Sequence, residues 1–211
     1  MITEQAVTLA AGDGADLETR LAVPPAPRAG IVICHPHPLY GGDMDNPVVV
    51  RVQEVCGALG LATLRFNFRG AGRSTGTHDG GRAEQRDVQA ALGHLAAAIG
   101  GAPLAVAGYS FGAVVAAQVA ARQGNLGGLA LVAPPLGVSG EGPFAGLEGF
   151  GAPLLVVGAG KDEYCPPEAL DALARRLPQA EVRVVAGANH FFLGKLFPLG
   201  QIVDAWAGRL A

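Results

Sequence analysis

Leu104-Ala105-Val106-Ala107-Gly108-Tyr109-Ser110-Phe111-Gly112 leads directly into an apolar run from Val114 to Gln123. A short apolar stretch, a G-x-S-x-G turn and a helical-period segment read as strand, sharp turn, helix. The bare five-residue pattern is weak in a chain that holds 32 glycines among 211 residues. Its context gives it weight. Glycines two positions to either side of Ser110 remove the Cβ atoms that would block a strained turn. Such a turn lifts the serine Oγ above the sheet and leaves the next residue's N–H free at a helix start. The plain alternative is a Gly-rich turn with a helix-capping serine. The other serines, Ser74 and Ser139, lie in loops without this frame.

Outward from that turn, short apolar runs alternate with longer stretches of helical period. Residues 29–34, 62–68, 104–107, 128–133 and 154–158 are continuous apolar runs bounded by Gly, Pro or polar residues, and 181–186 adds one more. Such runs suit strands buried on both faces of a parallel sheet. Residues 17–23 alternate apolar and polar, which suits a half-buried antiparallel strand, and one or two such strands are expected at the N-terminal edge. Helices are expected over 47–59, 82–99, 111–123, 167–177 and 195–210; in the second, Val88, Leu92, Leu95 and Ile99 form one stripe. The alternation predicts an α/β fold, a mostly parallel twisted sheet with helices on both faces. No repeat or linker interrupts it, so a single domain over 1–211 is expected. Residues 137–151 read as a loose, Gly-rich stretch, long enough for a mobile loop.

Composition narrows the function classes. Apolar residues make up 50% and charged residues 16%, too apolar for a disordered chain. The net charge of −3 gives no electrostatic footprint for nucleic acid or an anionic membrane. No run of about 20 apolar residues stands uninterrupted, so no membrane-spanning helix is expected. The three cysteines, Cys34, Cys56 and Cys165, form neither a disulfide framework nor a zinc module. Residues 1–20 lack a basic segment followed by an apolar one, so a cytoplasmic location is expected. Lys161 and Lys195 are the only lysines, and with abundant Ala and Gly this hints at a GC-rich bacterial genome.

A serine hydroxyl needs a base, and the base needs an orienting group. After Ser110 the chain holds one histidine, His190, just past the expected strand 181–186. Between them, the run 154–158 ends in a turn carrying Asp162, with Glu163 as the alternative acid. Ser, Asp, His, each just past a strand's C-terminal end, is the order a triad on an open α/β sheet requires. Taken singly, Asp162 is an ordinary turn residue and His190 an ordinary surface histidine; order and spacing join them.

With these residues the chain resembles the α/β-hydrolase superfamily, and within it the small, lidless, dienelactone-hydrolase-like serine hydrolases. Two further segments carry the resemblance, which covers nearly the whole chain. His35-Pro36-His37-Pro38-Leu39-Tyr40-Gly41-Gly42 is similar to the H-P-H-P-x-x-G-G stretch of one bacterial branch. Phe68-Arg69-Gly70-Ala71-Gly72-Arg73-Ser74 is like the F-R-G-x-G-x-S loop after the next strand. Dienelactone hydrolase itself carries a cysteine nucleophile where this chain has Ser110, a departure that argues against dienelactone as substrate. The resemblance implies Ser110 as nucleophile, His190 as base and Asp162 as orienting acid. It also implies an oxyanion hole built from the Phe111 N–H and one N–H of the loop 35–42. Pro36 and Pro38 have no N–H to give; the count from His35 points to His37, with Leu39 as the alternative.

The resemblance implies a carboxylesterase-like hydrolase of small-molecule esters, with no cofactor, no nucleic acid and no membrane partner. A thioesterase, a peptidase or amidase on the same triad, and a silent scaffold are the alternatives. The pair His35 and His37 could start a zinc site, but only His78, His94 and His190 remain as further histidines, and His94 falls inside an expected helix. No metal is expected. Residues 134–152 should form at most a loop and one short turn, so the acyl pocket should be shallow. Phe111, Tyr40, Phe144 and Phe191 are the candidates to wall it.

Overall fold

The computed structural model describes residues 3–210. In chain order its elements are β1 (Gln5–Ala10), β2 (Asp16–Ala22), β3 (Gly30–Cys34), α1 (Pro47–Ala58), β4 (Ala62–Phe66), α2 (Glu84–Ile99), β5 (Leu104–Tyr109) and α3 (Phe111–Arg122). There follow β6 (Gly128–Val132), α4 (Leu136–Ser139), β7 (Leu154–Ala159), α5 (Pro167–Arg176), β8 (Glu181–Val185) and α6 (Leu196–Ala207). The strands form one sheet in the order β1-β2-β4-β3-β5-β6-β7-β8. β1–β2 and β2–β4 pair antiparallel, and every other neighbouring pair is parallel. This is the α/β-hydrolase fold.

The continuous apolar runs inside the sheet became strands because they are covered on both faces; 181–185, expected to be buried likewise, forms the edge strand β8, where only Val185 is buried. β3, β4, β6 and β7 are buried at every residue. One face packs against α2, α3 and α5 through residues such as Leu92, Leu95, Val119 and Leu173. The other packs against α1 and α6 through Val48, Val52, Val203 and Trp206. Local chemistry starts and stops the helices: the Asn46 side chain accepts from the Val48 N–H, Pro47 follows at the first helical position, and Gly100 ends α2 at φ 61°.

β1 and β2 are the antiparallel strands expected at the N-terminal edge, with β1 outermost and most of its side chains exposed. One further expectation is corrected. The segment 137–151 is not a loose mobile loop. It carries α4 and two 3-10 turns, and buries Phe144 and Leu147 completely against α3 and its neighbours. No inserted domain among the described residues forms a lid over the sheet. Among the described residues no helix is long and apolar enough to cross a membrane.

The F-R-G-x-G-x-S segment after β4 is structural. Arg69 grips Asp87 of α2 through its guanidinium at 2.6 Å and its backbone N–H at 3.1 Å, and reaches Asp13 at 3.0 Å. Ser74 Oγ donates to the Asn67 carbonyl and accepts from the Glu18 N–H, which stitches the loop to β2. The Asp87 side chain is fully buried, so removing it leaves the Arg69 backbone N–H and part of its guanidinium without a partner in the interior, with Asp13 alone to balance the charge. Asp87→Ala is expected to cost about 3 to 5 kcal/mol of stability, read by urea unfolding. A loss below about 1 kcal/mol, the scale of an exposed ion pair, would contradict that account.

Candidate active site

The turn after β5 is forced by close approach. A Cβ on Gly108 would stand 2.2 Å from the Gly112 carbonyl oxygen, and one on Gly112 would stand 2.4 Å from that of Cys34. Only glycine lets the start of α3 settle against the ends of β5 and β3. Ser110, held between them, adopts φ 55° and ψ −116°, a conformation L residues avoid. Its N–H donates to the Val132 carbonyl at 2.9 Å, which ties the turn to β6.

Past β7, Asp162 sits in a turn where the Tyr164 and Cys165 N–H groups donate to its Oδ1 at 2.9 and 3.2 Å. His190 follows β8 in a loop closed by the Asn189 side chain, which accepts from the Leu193 N–H. The structure brings the three expected residues together. His190 Nδ1 lies 2.9 Å from Asp162 Oδ2 and 3.0 Å from Oδ1, while its Nε2 lies 2.9 Å from Ser110 Oγ. A carboxylate can only accept, so Nδ1 carries the proton and Nε2 is left to accept from the serine hydroxyl. Glu163 is exposed and takes no part.

Sequence reading missed one supporting residue, Tyr109. Its hydroxyl donates to the His190 carbonyl at 3.0 Å and so fixes the histidine loop against β5. Burial pushes the phenol's pKa up, which keeps it a donor. The available signal was a tyrosine at the buried end of an apolar strand, whose hydroxyl must find a partner.

The two histidines of the H-P-H-P stretch separate in role. His35 is fully buried; the Phe68 N–H donates to its Nε2 at 2.9 Å, so Nδ1 is protonated and donates to the Pro36 carbonyl. Both ring nitrogens are spent on backbone, and neither is free for a metal. Burial lowers the His35 pKa from 6.5 to about 4. Between those values the unfolded chain takes up a proton that the folded chain refuses, so stability falls as pH drops through that window. The contribution is about 3 kcal/mol. His35→Asn should flatten the slope of unfolding free energy between pH 6.5 and 4; an unchanged slope would contradict the assignment.

His37 is half-buried, and its ring lies against Tyr40 (4.7 Å between centroids), His78 (4.7 Å) and Phe111 (5.0 Å). Burial and the neighbouring His78 lower its pKa. His78 Nδ1 stands 2.8 Å from the buried carboxylate of Glu84, which also accepts from the Asp79 and Gly81 N–H groups. This cluster joins the loop after β3 to the first turn of α3, and no sequence pattern announced it. Among the described residues no group of three or more His, Cys, Asp or Glu side chains could hold a metal.

The expected pocket walls divide. Phe111 is buried beside Ser110, Tyr40 and Phe191 are exposed near the site at 87% and 53%, and Phe144 is not at the site at all. It is a core residue packed beneath α3.

The family profile described as serine aminopeptidase, S33, matches residues 25–148, more than half of the chain. The chain belongs to that family. This S33-family hydrolase is similar to an α/β serine hydrolase homologue from Coxiella burnetii, at 35% identity and a TM-score of 0.87 over 97% of this chain and 98% of the other. It is equally similar in shape to XC6422 from Xanthomonas campestris, described as an α/β serine hydrolase without a lid, at 30% identity, a TM-score of 0.87 and 98% and 94% coverage. It is also 31% identical to the uncharacterised protein RP471 of Rickettsia prowazekii over 196 residues, 89% of this chain and 82% of that one. The enzyme is a hydrolase of the lidless α/β serine type.

Proposed function

We propose that the chain is a carboxylesterase-like serine hydrolase that cleaves short-acyl esters through an acyl-enzyme. One observation carries this reading: Ser110 Oγ, His190 and Asp162 stand in an unbroken hydrogen-bonded line at the C-terminal edge of the sheet, with the serine in its strained turn. Ser110 Oγ attacks the ester carbonyl carbon while His190 Nε2 takes its proton, and Asp162 holds the resulting imidazolium. Collapse of the tetrahedral intermediate breaks the C–O bond to the alcohol, which leaves with that proton. Water, giving its proton to the same Nε2, then attacks the acyl carbon; the bond to Ser110 Oγ breaks, Nε2 returns the proton to that oxygen, and the acid leaves.

The oxyanion needs two N–H donors that nothing else occupies. Phe111 is the first residue of α3, so its N–H has no acceptor within the helix. His37 N–H has no backbone acceptor among the described residues, whereas the Leu39 N–H points to His37 Nδ1 at 3.3 Å. We therefore assign Phe111 and His37, rather than Leu39, as the donors. Every step uses the chain's own groups and water.

Among the described residues only short helical turns lie between β6 and β7, so we expect no tunnel for a long acyl chain. Each methylene contributes about 0.8 kcal/mol only where a pocket removes it from water. Across p-nitrophenyl esters from two to sixteen carbons, assayed below micellar concentrations, kcat/KM should peak between acetyl and hexanoyl. A maximum at ten carbons or beyond would contradict the expectation of a shallow pocket. Acyl thioesters and L-alanine p-nitroanilide run alongside; faster turnover of either would move the assignment to a thioesterase or an aminopeptidase.

A further inference from the structure

Among the described residues, seven of the eight large apolar side chains that are exposed belong to segments at the C-terminal edge of the sheet or leading from it: Leu39, Tyr40, Val138, Tyr164, Phe191, Leu193 and Phe197. The chemistry of ester cleavage divides this rim. The leaving oxygen receives its proton from His190 Nε2, so it must come within hydrogen-bond reach of that atom. Whatever is bonded to it then lies among the side chains around the imidazole. The ester's carbonyl oxygen points instead toward the N–H groups of Phe111 and His37.

Three rings stand around the imidazole. Tyr109 is buried beneath it, with centroids 5.6 Å apart. Tyr164 meets it edge-on at 4.7 Å, and Phe191 stands perpendicular at 5.6 Å. The last two are 38% and 53% exposed, and Leu193, two residues after Phe191, is 73% exposed. The Asp162 carboxylate beside them is fully buried and engaged with His190 and two backbone N–H groups. On the oxyanion side the rings are packed on one another instead: Phe111 against His37, His78 and Phe68 at 5.0 to 5.6 Å.

We propose that Tyr164, Phe191 and Leu193 form the subsite for the alcohol part of the substrate, and that the enzyme takes short-acyl esters of apolar alcohols. The proposal rests on the ester reading above. It assigns specificity to the leaving group where a tunnel enzyme would place it in the acyl chain.

The test is kcat/KM for acetate esters of straight-chain alkanols from ethyl to hexyl. These alkoxides differ little in basicity, so the series varies apolar contact at nearly constant chemistry. A fully buried methylene is worth about fourfold; a half-open rim keeps less than half of that in free energy, so the hexyl-to-ethyl ratio should be about tenfold. In Tyr164→Ser/Phe191→Ser the ratio should fall to within about twofold of one. The ratio is taken within each variant, so any loss of turnover from a disturbed His190 cancels. Tyr40→Ser, on the oxyanion side of the rim, should keep the wild-type ratio. A flat wild-type series, an unchanged ratio in the double variant, or a ratio lost in Tyr40→Ser overturns the subsite. A wild type that cleaves no ester of the series overturns the ester reading and the subsite with it; a flat series with active enzyme overturns the subsite alone.

Discussion

Ser110→Ala is expected to lower kcat for a short-acyl ester by roughly 10⁴ to 10⁶ while leaving the fold intact. The nucleophile would be gone, so no acyl-enzyme can form, and only the oxyanion donors and binding would remain to help water. The fold should survive because alanine keeps the Cβ, the backbone N–H bond to the Val132 carbonyl and the same positive φ that serine already tolerates. Circular dichroism and the thermal midpoint should match the parent. Residual activity within about tenfold would assign the chemistry to another group.

Asp162→Asn should cost about 10⁴ in kcat, for a reason of orientation rather than lost charge alone. Asp162 Oδ1 accepts from the Tyr164 and Cys165 N–H groups, and those donors would hold the asparagine's oxygen at the same place. The amide nitrogen is then left where Oδ2 now stands, 2.9 Å from His190 Nδ1. Two donors cannot face each other, so the imidazole would shift its proton to Nε2, the atom that must accept from Ser110. Activity within about tenfold of the parent would mean that His190 takes its orientation from elsewhere. Glu163, exposed and one residue on, is the group to examine in that case.

What the sequence made legible is what short-range sterics dictate. The elbow could be read because Gly108 and Gly112 are each required by a backbone contact that no side chain could share. Asp162 and His190 could be placed because a parallel sheet delivers the end of every strand to one edge, so order along the chain becomes proximity in space. The buried strands were legible for a similar reason, since burial on both faces leaves a continuous apolar run.

The features that escaped depend on partners far away in sequence. The Tyr109 hydroxyl finds the His190 carbonyl across 81 positions. Phe144 sits in a Gly-rich stretch that reads as loose, yet its ring is wholly buried beneath α3. The cluster of His37, His78, Glu84 and Phe111 draws on three separate segments, each unremarkable by itself. In each case the deciding contact is tertiary, and local pattern carries no trace of it.

The most direct measurement of the central claim is covalent labelling by a fluorophosphonate, read by intact mass and peptide mapping. One adduct per chain on Ser110 is expected, abolished in Ser110→Ala and strongly slowed in His190→Ala, where no base remains to take the hydroxyl proton. An unlabelled wild type, or an adduct on any residue other than Ser110, would contradict the assignment of Ser110 as nucleophile.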